Sequence, residues 1–266
     1  MEHLFLAWAS IAPRLKAARK VFLFSDFDGT LTPIVERPED AVLDPEVRGL
    51  LQALASSPRF FLGIISGRAL VDLQAKVAVP SVIFAGNHGL EISGPGLNFL
   101  SPLVADMKST IRLIHSVLER TVTGIKGVVL EDKGLTLSVH YRQVAEPDLG
   151  NLTRAFRKAV GTAQMLGKIR VTTGKKVYEV RPPVDWNKGK ALEHIMDRLR
   201  SEGRHGPTLS FYLGDDMTDE DAFRAINRLG GVSVYVGEGT HRSEAQYYVT
   251  SADEVAEFLR KLAEPA

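Results

Sequence analysis

The 266-residue chain contains no cysteine, which excludes disulfide staples and thiolate metal sites and is compatible with a reducing cytoplasm. It carries little net charge. Lys and Arg number 33 against 32 Asp and Glu, a formal +1, so no global field draws it to nucleic acid or to a membrane surface. No apolar run is long enough to span a bilayer. The short stretch Leu4-Phe5-Leu6-Ala7-Trp8-Ala9 follows Glu2 and precedes Arg14, Lys16, Arg19 and Lys20, the wrong charge order for a signal peptide. Leu4, Trp8, Ile11 and Leu15 instead recur at helical spacing, which predicts an amphipathic helix with the basic residues on its solvated side. Internal repeats and low-complexity tracts are absent. The seven histidines are scattered without paired ligand spacing. Gly63-Ile64-Ile65-Ser66-Gly67 lacks the spacing and the lysine of a nucleotide-binding glycine loop.

What is present is an ordinary globular composition, long enough for one large domain or two modest ones. The pattern is organised around Val21-Phe22-Leu23-Phe24-Ser25-Asp26-Phe27-Asp28-Gly29-Thr30. Its apolar run is too short for an independent helix and reads as a strand buried on both faces of a parallel sheet. Asp44-Pro45-Glu46 starts a helix with a capping Asp and Pro at the first position. Phe60–Ile65 and Val82–Ala85 read as further strands, separated by a short helix. Strand–helix alternation at these lengths predicts a parallel sheet with helices on its faces.

Beyond residue 104 the pattern changes to a long helix (104 to 122), a hairpin around Asp132-Lys133-Gly134, a helix (149 to 165) and a hairpin around Thr173-Gly174-Lys175. Pro182-Pro183 ends this insert. The doubly wound pattern then resumes with a helix from Lys188, a strand over Leu209–Leu213, and a helix capped by Thr218 with Asp221 three residues on. A strand over Val232–Val236, a short one over Tyr247–Val249 and a closing helix from Ala252 complete it. The fold expected is therefore an α/β doubly wound parallel-sheet core, residues 1–104 and 183–266, with an α+β domain inserted at 105–182.

Four polar clusters fall at the carboxyl ends of core strands or at a helix start: Asp26/Asp28, Ser66/Arg68, Lys188 and Asp215/Asp216/Asp219. A parallel sheet brings such ends to one edge, where ligands of open α/β sheets bind. Carboxylates from separate strands make an all-oxygen site suited to Mg²⁺. A lysine and a hydroxyl suit a phosphate dianion. A carboxylate nucleophile beside a second carboxyl acting as general acid can split phosphoryl transfer into two steps.

These clusters resemble the four motifs of the haloacid-dehalogenase-type phosphatases, in that family's order. More specifically, Asp26-Phe27-Asp28-Gly29-Thr30-Leu31-Thr32-Pro33-Ile34, Ile65-Ser66-Gly67-Arg68, Gly86-Asn87-His88-Gly89-Leu90-Glu91, Asn187-Lys188-Gly189 and Gly214-Asp215-Asp216-Met217-Thr218-Asp219-Glu220 are similar to the motifs of the trehalose 6-phosphate phosphatases. The resemblance implies that Asp26 attacks phosphorus and that Asp28 protonates the leaving sugar oxygen and then deprotonates water. It implies Mg²⁺ on the Asp26 carboxylate, the Asp28 backbone carbonyl and the Asp215 carboxylate. Ser66 and Lys188 would hold the phosphoryl oxygens, with Asp216 and Asp219 in supporting roles.

The resemblance further favours Glu131, Lys133, Arg142 and Glu179 of the insert, with Gly67, Arg68, Asn87 and His88 of the core, as substrate contacts. Linkers near 101 to 106 and 181 to 186 would let the insert act as a closing cap. Trp8 and Trp186 are expected to pack or to line a domain boundary rather than stack on sugar. The expectation is a cytoplasmic, monomeric, Mg²⁺-dependent phosphatase of a small sugar phosphate, without nucleic-acid or membrane partners, and open to association with a trehalose 6-phosphate synthase. A phosphatase of sucrose phosphate or glucosylglycerol phosphate, a catalytically silent sensor or regulatory partner, and a phosphomutase are the rivals; four intact motifs weigh against the sensor, and the trehalose-type motifs around Gly86 and Asp215 against the phosphomutase.

Overall fold

The computed structural model describes residues 1–104, 107–201 and 206–264. The chain divides into two compact units, Met1–Phe99 with Trp186–Ala266, and Leu100–Asp185. These bounds lie within a few residues of the expected 104 and 183. The Phe99 and Trp186 rings stack with centroids 5.3 Å apart, so both ends of the first unit close on each other.

The strands in chain order are β1 (Glu2–His3), β2 (Lys20–Ser25), β3 (Phe60–Ile65), β4 (Val82–Gly86), β5 (Glu91–Gly94), β6 (Leu97–Leu100), β7 (Val129–Asp132), β8 (Leu137–His140), β9 (Arg170–Gly174), β10 (Val177–Arg181), β11 (Thr208–Gly214), β12 (Val232–Val236) and β13 (Tyr247–Val249). The helices are α1 (Trp8–Ala17), α2 (Pro45–Ser56), α3 (Leu70–Val77), α4 (Met107–Val122), α5 (Leu149–Met165), α6 (Lys188–Ser201), α7 (Glu220–Arg228) and α8 (Ala252–Ala263).

Among the described residues the first unit is built on one sheet, ordered β1-β13-β12-β11-β2-β3-β4-β5-β6. Its pairings from β1 to β4 are parallel and β4 with β5 is antiparallel. Alternation along the strands sends side chains to two separate apolar layers. Val21 and Leu23 of β2, with Phe211 and Leu213 of β11, join residues of α2, α3 and α8 on one face. Phe22, Phe24 and Tyr212 join residues of α6 and α7 on the other. Strands buried on both faces read as continuous apolar runs, which is why β2, β3, β4 and β11 are visible in the sequence.

Several expectations are corrected. The N-terminal helix begins at Trp8, not Leu4, because Glu2–His3 pairs with β13 as an edge strand. The β5–β6 extension has no counterpart among the expected elements, although Gly94-Pro95-Gly96 is a fair turn signal and Gly96 has φ +69°. The long helix predicted from residue 104 starts at Met107; Val104 ends a short 3₁₀ turn, and 105–106 lie outside the described residues. Trp8 packs edge-on against Phe258 and Trp186 on Phe99, both as core contacts.

The second unit carries α4, α5 and a sheet ordered β7-β8-β10-β9, antiparallel throughout. Leu137, Val139 and Val180 are buried with Ile111, Leu118, Leu152 and Phe156 of the two helices, and Tyr178 stacks on Phe156.

Phe22 is fully buried and stacks on Phe61 at 5.1 Å. Phe22→Ala should therefore cost about 3–5 kcal/mol in urea unfolding. An unchanged midpoint would contradict close packing of that face.

Candidate active site

The site is built at the carboxyl ends of the central strands of the first unit. Asp26 directly follows β2 and its N–H donates to the Leu213 carbonyl of β11 at 2.9 Å, which sets it beside the β11 loop. Gly29 has φ +85°, a conformation costly for residues with a Cβ. A Cβ there would also lie 2.3 Å from Asp215 Oδ2. Glycine therefore lets the Asp26–Thr30 turn press against Asp215. Gly214 does the same on the other side, since a Cβ would lie 2.3 Å from Asp219 Cγ.

Lys188, at the start of α6, is the centre of the arrangement. Its ammonium lies 2.9 Å from Asp26 Oδ1 and 2.8 Å from Asp219 Oδ1, and it is only 3% exposed. Asp219 is fully buried. It also accepts from the Tyr212 hydroxyl at 2.6 Å and from the Asp215 and Asp216 N–H groups at 3.1 and 3.2 Å. The expected Thr218 cap is thus replaced. Asp219 occupies the cap position of α7 but turns its carboxylate inward, while Thr218 donates its N–H and hydroxyl to Asp216 Oδ1 at 2.7 Å. Tyr212 escapes sequence reasoning because it reads as one more apolar strand residue.

Burial pushes the Asp26 carboxyl well up, opposed by Lys188 and reinforced by the charges of Asp219, Asp215 and Asp216. Burial lowers Lys188, but Asp219 and Asp26 outweigh it and hold the ammonium charged. Burial likewise raises Asp219 against the pull of Lys188. For Asp216 burial is outweighed by Lys188 and the Thr218 hydrogen bonds, and the carboxyl sits low.

The β3 and β4 ends are wired together. Ser66 is buried; its N–H donates to the Ala85 carbonyl and its own carbonyl accepts from the His88 N–H, both at 2.9 Å. The Asn87 N–H donates to the Arg68 carbonyl at 2.7 Å. Asn87 and His88 adopt φ of +50° and +57°, strained values that persist where surroundings over-determine them. The Asn87 amide donates to Glu91 at 2.7 Å. A Cβ on Gly67 would lie 2.7 Å from the His88 ring. Ser66, Gly67, Asn87 and His88 are thus one cluster.

Asp28 faces differently from Asp26. Arg68 forks it, Nε to Oδ2 at 2.8 Å and Nη2 to Oδ1 at 2.6 Å. The guanidinium expected to touch substrate is here engaged by protein groups.

In the second unit, strand register aligns Glu131, Ser138, Glu179 and Thr172 as direct neighbours across all four strands, on the face opposite Leu137 and Val139. His140 Nε2 lies 2.8 Å from Glu131 Oε2, Lys133 Nζ 3.5 Å from the same oxygen, and Arg181 brings Nε and Nη2 to the single oxygen Oε2 of Glu179 at 2.9 and 2.7 Å. Arg142 follows β8 and is exposed. His140 and Arg181 escape sequence reasoning: His140 meets Glu131 through the register of the β7–β8 hairpin, and Arg181 meets Glu179 two residues away on the same face of β10.

The trehalose-phosphatase family profile matches residues 24–255. The chain belongs to the trehalose-phosphatase family. It is 38% identical to the trehalose-phosphate phosphatase of Mycobacterium tuberculosis over 249 residues, covering 92% of this chain and 62% of that protein. It therefore spans somewhat under two thirds of the length of the mycobacterial relatives it matches. A solved structure of Aspergillus fumigatus trehalose-6-phosphate phosphatase shares 30% identity at TM-score 0.62, with 96% of each chain covered. The C-terminal domain of Candida albicans trehalose-6-phosphate phosphatase, 24% identical, superposes at TM-score 0.80 with 96% coverage of both and shows the same fold. The family's α/β core with its inserted α+β unit is the architecture seen here.

Among the described residues, Asp26, Asp215 and Asp219 bring carboxylate oxygens within 4.8 Å of one another. Asp219 spends its oxygens on Lys188, Tyr212 and two N–H groups. Asp26 and Asp215 can serve as hard oxygen donors, which fits a Mg²⁺ ion that retains several waters. A carboxyl whose folded pKa is raised costs stability as pH rises through that value, because the unfolded chain releases its proton earlier. A divalent cation binds the ionised form. Mg²⁺ should therefore raise the thermal midpoint more at pH 8 than at pH 5.5, and the shift should shrink in Asp215→Asn. Equal shifts at both pH values, or in the variant, would refute this assignment.

Proposed function

We propose that this chain is a Mg²⁺-dependent phosphatase that hydrolyses trehalose 6-phosphate to trehalose and phosphate through an aspartyl-phosphate. The observation that carries the reading is the buried Asp26–Lys188–Asp219 arrangement beside Asp215. It holds one carboxylate where a nucleophile is needed and keeps an ammonium against it. Lys188 ties down the Asp26 rotamer through Oδ1 and offers positive charge to incoming phosphoryl oxygens. Asp26 attacks phosphorus as the bond to the sugar oxygen breaks, and Asp28 gives that oxygen a proton. Water then attacks the acyl phosphate, Asp28 takes its proton, and Asp26 is regenerated. A cation held by Asp26, the Asp28 carbonyl and Asp215 would offset repulsion between anionic nucleophile and anionic substrate. Ser66 would bind a phosphoryl oxygen.

Choice of sugar is assigned to the insert. Its aligned Glu131 and Glu179 are charged acceptors, held by His140, Lys133 and Arg181, and such acceptors make the stronger hydrogen bonds to hydroxyls. Among the described residues no helix is long and apolar enough to cross a membrane, in keeping with a small-molecule substrate met in water.

Phosphate release by purified protein should be measured with Mg²⁺ across trehalose 6-phosphate, sucrose phosphate, glucosylglycerol phosphate and glucose 6-phosphate. Preference for trehalose 6-phosphate, loss with EDTA, and a fall of about 10³-fold or more in Asp26→Asn are expected. Glu131→Gln should raise KM with kcat little changed. Preference for another sugar would overturn the substrate, and full activity of Asp26→Asn would overturn the mechanism.

A further inference from the structure

Arg68 does not behave as a surface cation awaiting a ligand. It is 5% exposed, and protein groups surround its guanidinium. Nε and Nη2 fork the two oxygens of Asp28, Nη1 donates to Asp72 Oδ2 at 2.7 Å, and Nη2 also reaches the Pro38 carbonyl at 2.7 Å. The group lies over the fully buried Phe27 ring, 5.4 Å from its centroid. Asp72 sits in the first turn of α3, so one partner comes from a helix that starts just after Arg68 in sequence. Pro38 lies in the loop that Lys76 of α3 fastens through the Glu39 and Ala41 carbonyls at 3.0 and 2.9 Å. The clamp is therefore rigid at its base.

Asp28, by contrast, has a side chain 39% exposed, on the turn that follows β2. Left alone it would sample several rotamers, whereas proton transfer tolerates little misplacement. An Arg fork is planar and selects one carboxylate orientation, which a single ammonium does not. It uses one acceptor position on each oxygen and leaves the second for a proton shared with a substrate or water oxygen.

We propose that Arg68 is a positioning residue for Asp28, its guanidinium fixed by Asp72, the Pro38 carbonyl and Phe27 so that the carboxyl of Asp28 is presented in one orientation to the leaving oxygen. This rests on the assignment of Asp28 as the proton-transfer group. Arg68 then acts through Asp28 and not by contact with the sugar phosphate.

The test compares kcat/KM, which reports events up to phosphoryl transfer, on trehalose 6-phosphate and on p-nitrophenyl phosphate, whose nitrophenolate departs without a proton. Arg68→Gln should lower kcat/KM on the sugar phosphate about 10- to 100-fold, the scale of a misplacement of about 1 Å, and leave the aryl phosphate within about threefold. Arg68→Lys should fall between, because it keeps charge and loses the fork. Asp72→Asn, which loosens Arg68 without touching Asp28, should show the same selective loss at smaller size and serves if Arg68→Gln does not fold. In an Asp28→Asn background the Arg68 substitution should add nothing, as expected for two residues acting as one unit. Equal losses on both substrates, additive effects with Asp28→Asn, or no loss at all would overturn the proposal. A wild-type protein inactive on both substrates would overturn the phosphatase reading itself, and this inference with it.

Discussion

The Lys188 ammonium, enclosed between Asp26 and Asp219, is the interaction on which the first unit's chemistry depends. Removing one ion from water costs several kcal/mol even after relaxation, and here an ammonium and two carboxylates are removed together. The cost is offset by direct pairing, by the Tyr212 hydroxyl and by two backbone N–H groups on Asp219. Even so, Asp26, Asp215 and Asp219 set three carboxylates against one ammonium. That imbalance is a poor device for stability and a good one for binding. A site with excess buried negative charge gains most from a divalent cation, and Lys188 opposes the uptake of a proton by Asp26, which the proposed nucleophilic role requires to be ionised.

Only a particular backbone can bring these groups so close. Asp26, Ser66, Lys188 and Asp215 are distant in sequence, yet each ends a central strand or starts the helix packed on it. The β11–β2–β3–β4 pairing in parallel makes those ends neighbours. The last ångströms come from absent side chains. Gly29 and Gly214 stand where any Cβ would collide with Asp215 or Asp219. The same motif that supplies carboxylates therefore supplies the space in which they meet.

The core strands and the polar clusters at their ends are legible in the sequence because buried parallel strands are continuous apolar runs and the polar residues follow them. What escapes has a common cause. Glu2–His3 is a two-residue edge strand, with no periodicity to detect. Thr218 looks like a cap by local preference, but Asp219 is claimed by Lys188, and a buried charge outweighs a cap worth about 1 kcal/mol. His140, Arg181, Tyr212 and Asp72 are partners of site residues, and each is recognisable only once strand alternation, register or helix placement is known. The Glu131–Glu179 alignment is of this kind. It exists because β10 lies between β8 and β9, whereas two separate hairpins are all that turn chemistry announces.

Under the proposed roles, the two aspartates of the opening motif show how environment divides labour between identical groups. Asp26 is buried, crowded by other carboxylates and held at one oxygen by a buried ammonium. Asp28 is partly open and gripped at both oxygens by a planar guanidinium. A nucleophile needs one oxygen fixed and lone pairs aimed at phosphorus, which a point charge on the other side permits. A group that must first give and then take a proton at the same place needs a fixed plane with solvent or substrate in front of it. Exchanging the two cations would serve neither residue. A fork on Asp26 would engage both of its oxygens, and a flexible ammonium on Asp28 would leave its plane undefined. The choice of Lys at 188 and Arg at 68 is therefore part of the same division that separates Asp26 from Asp28.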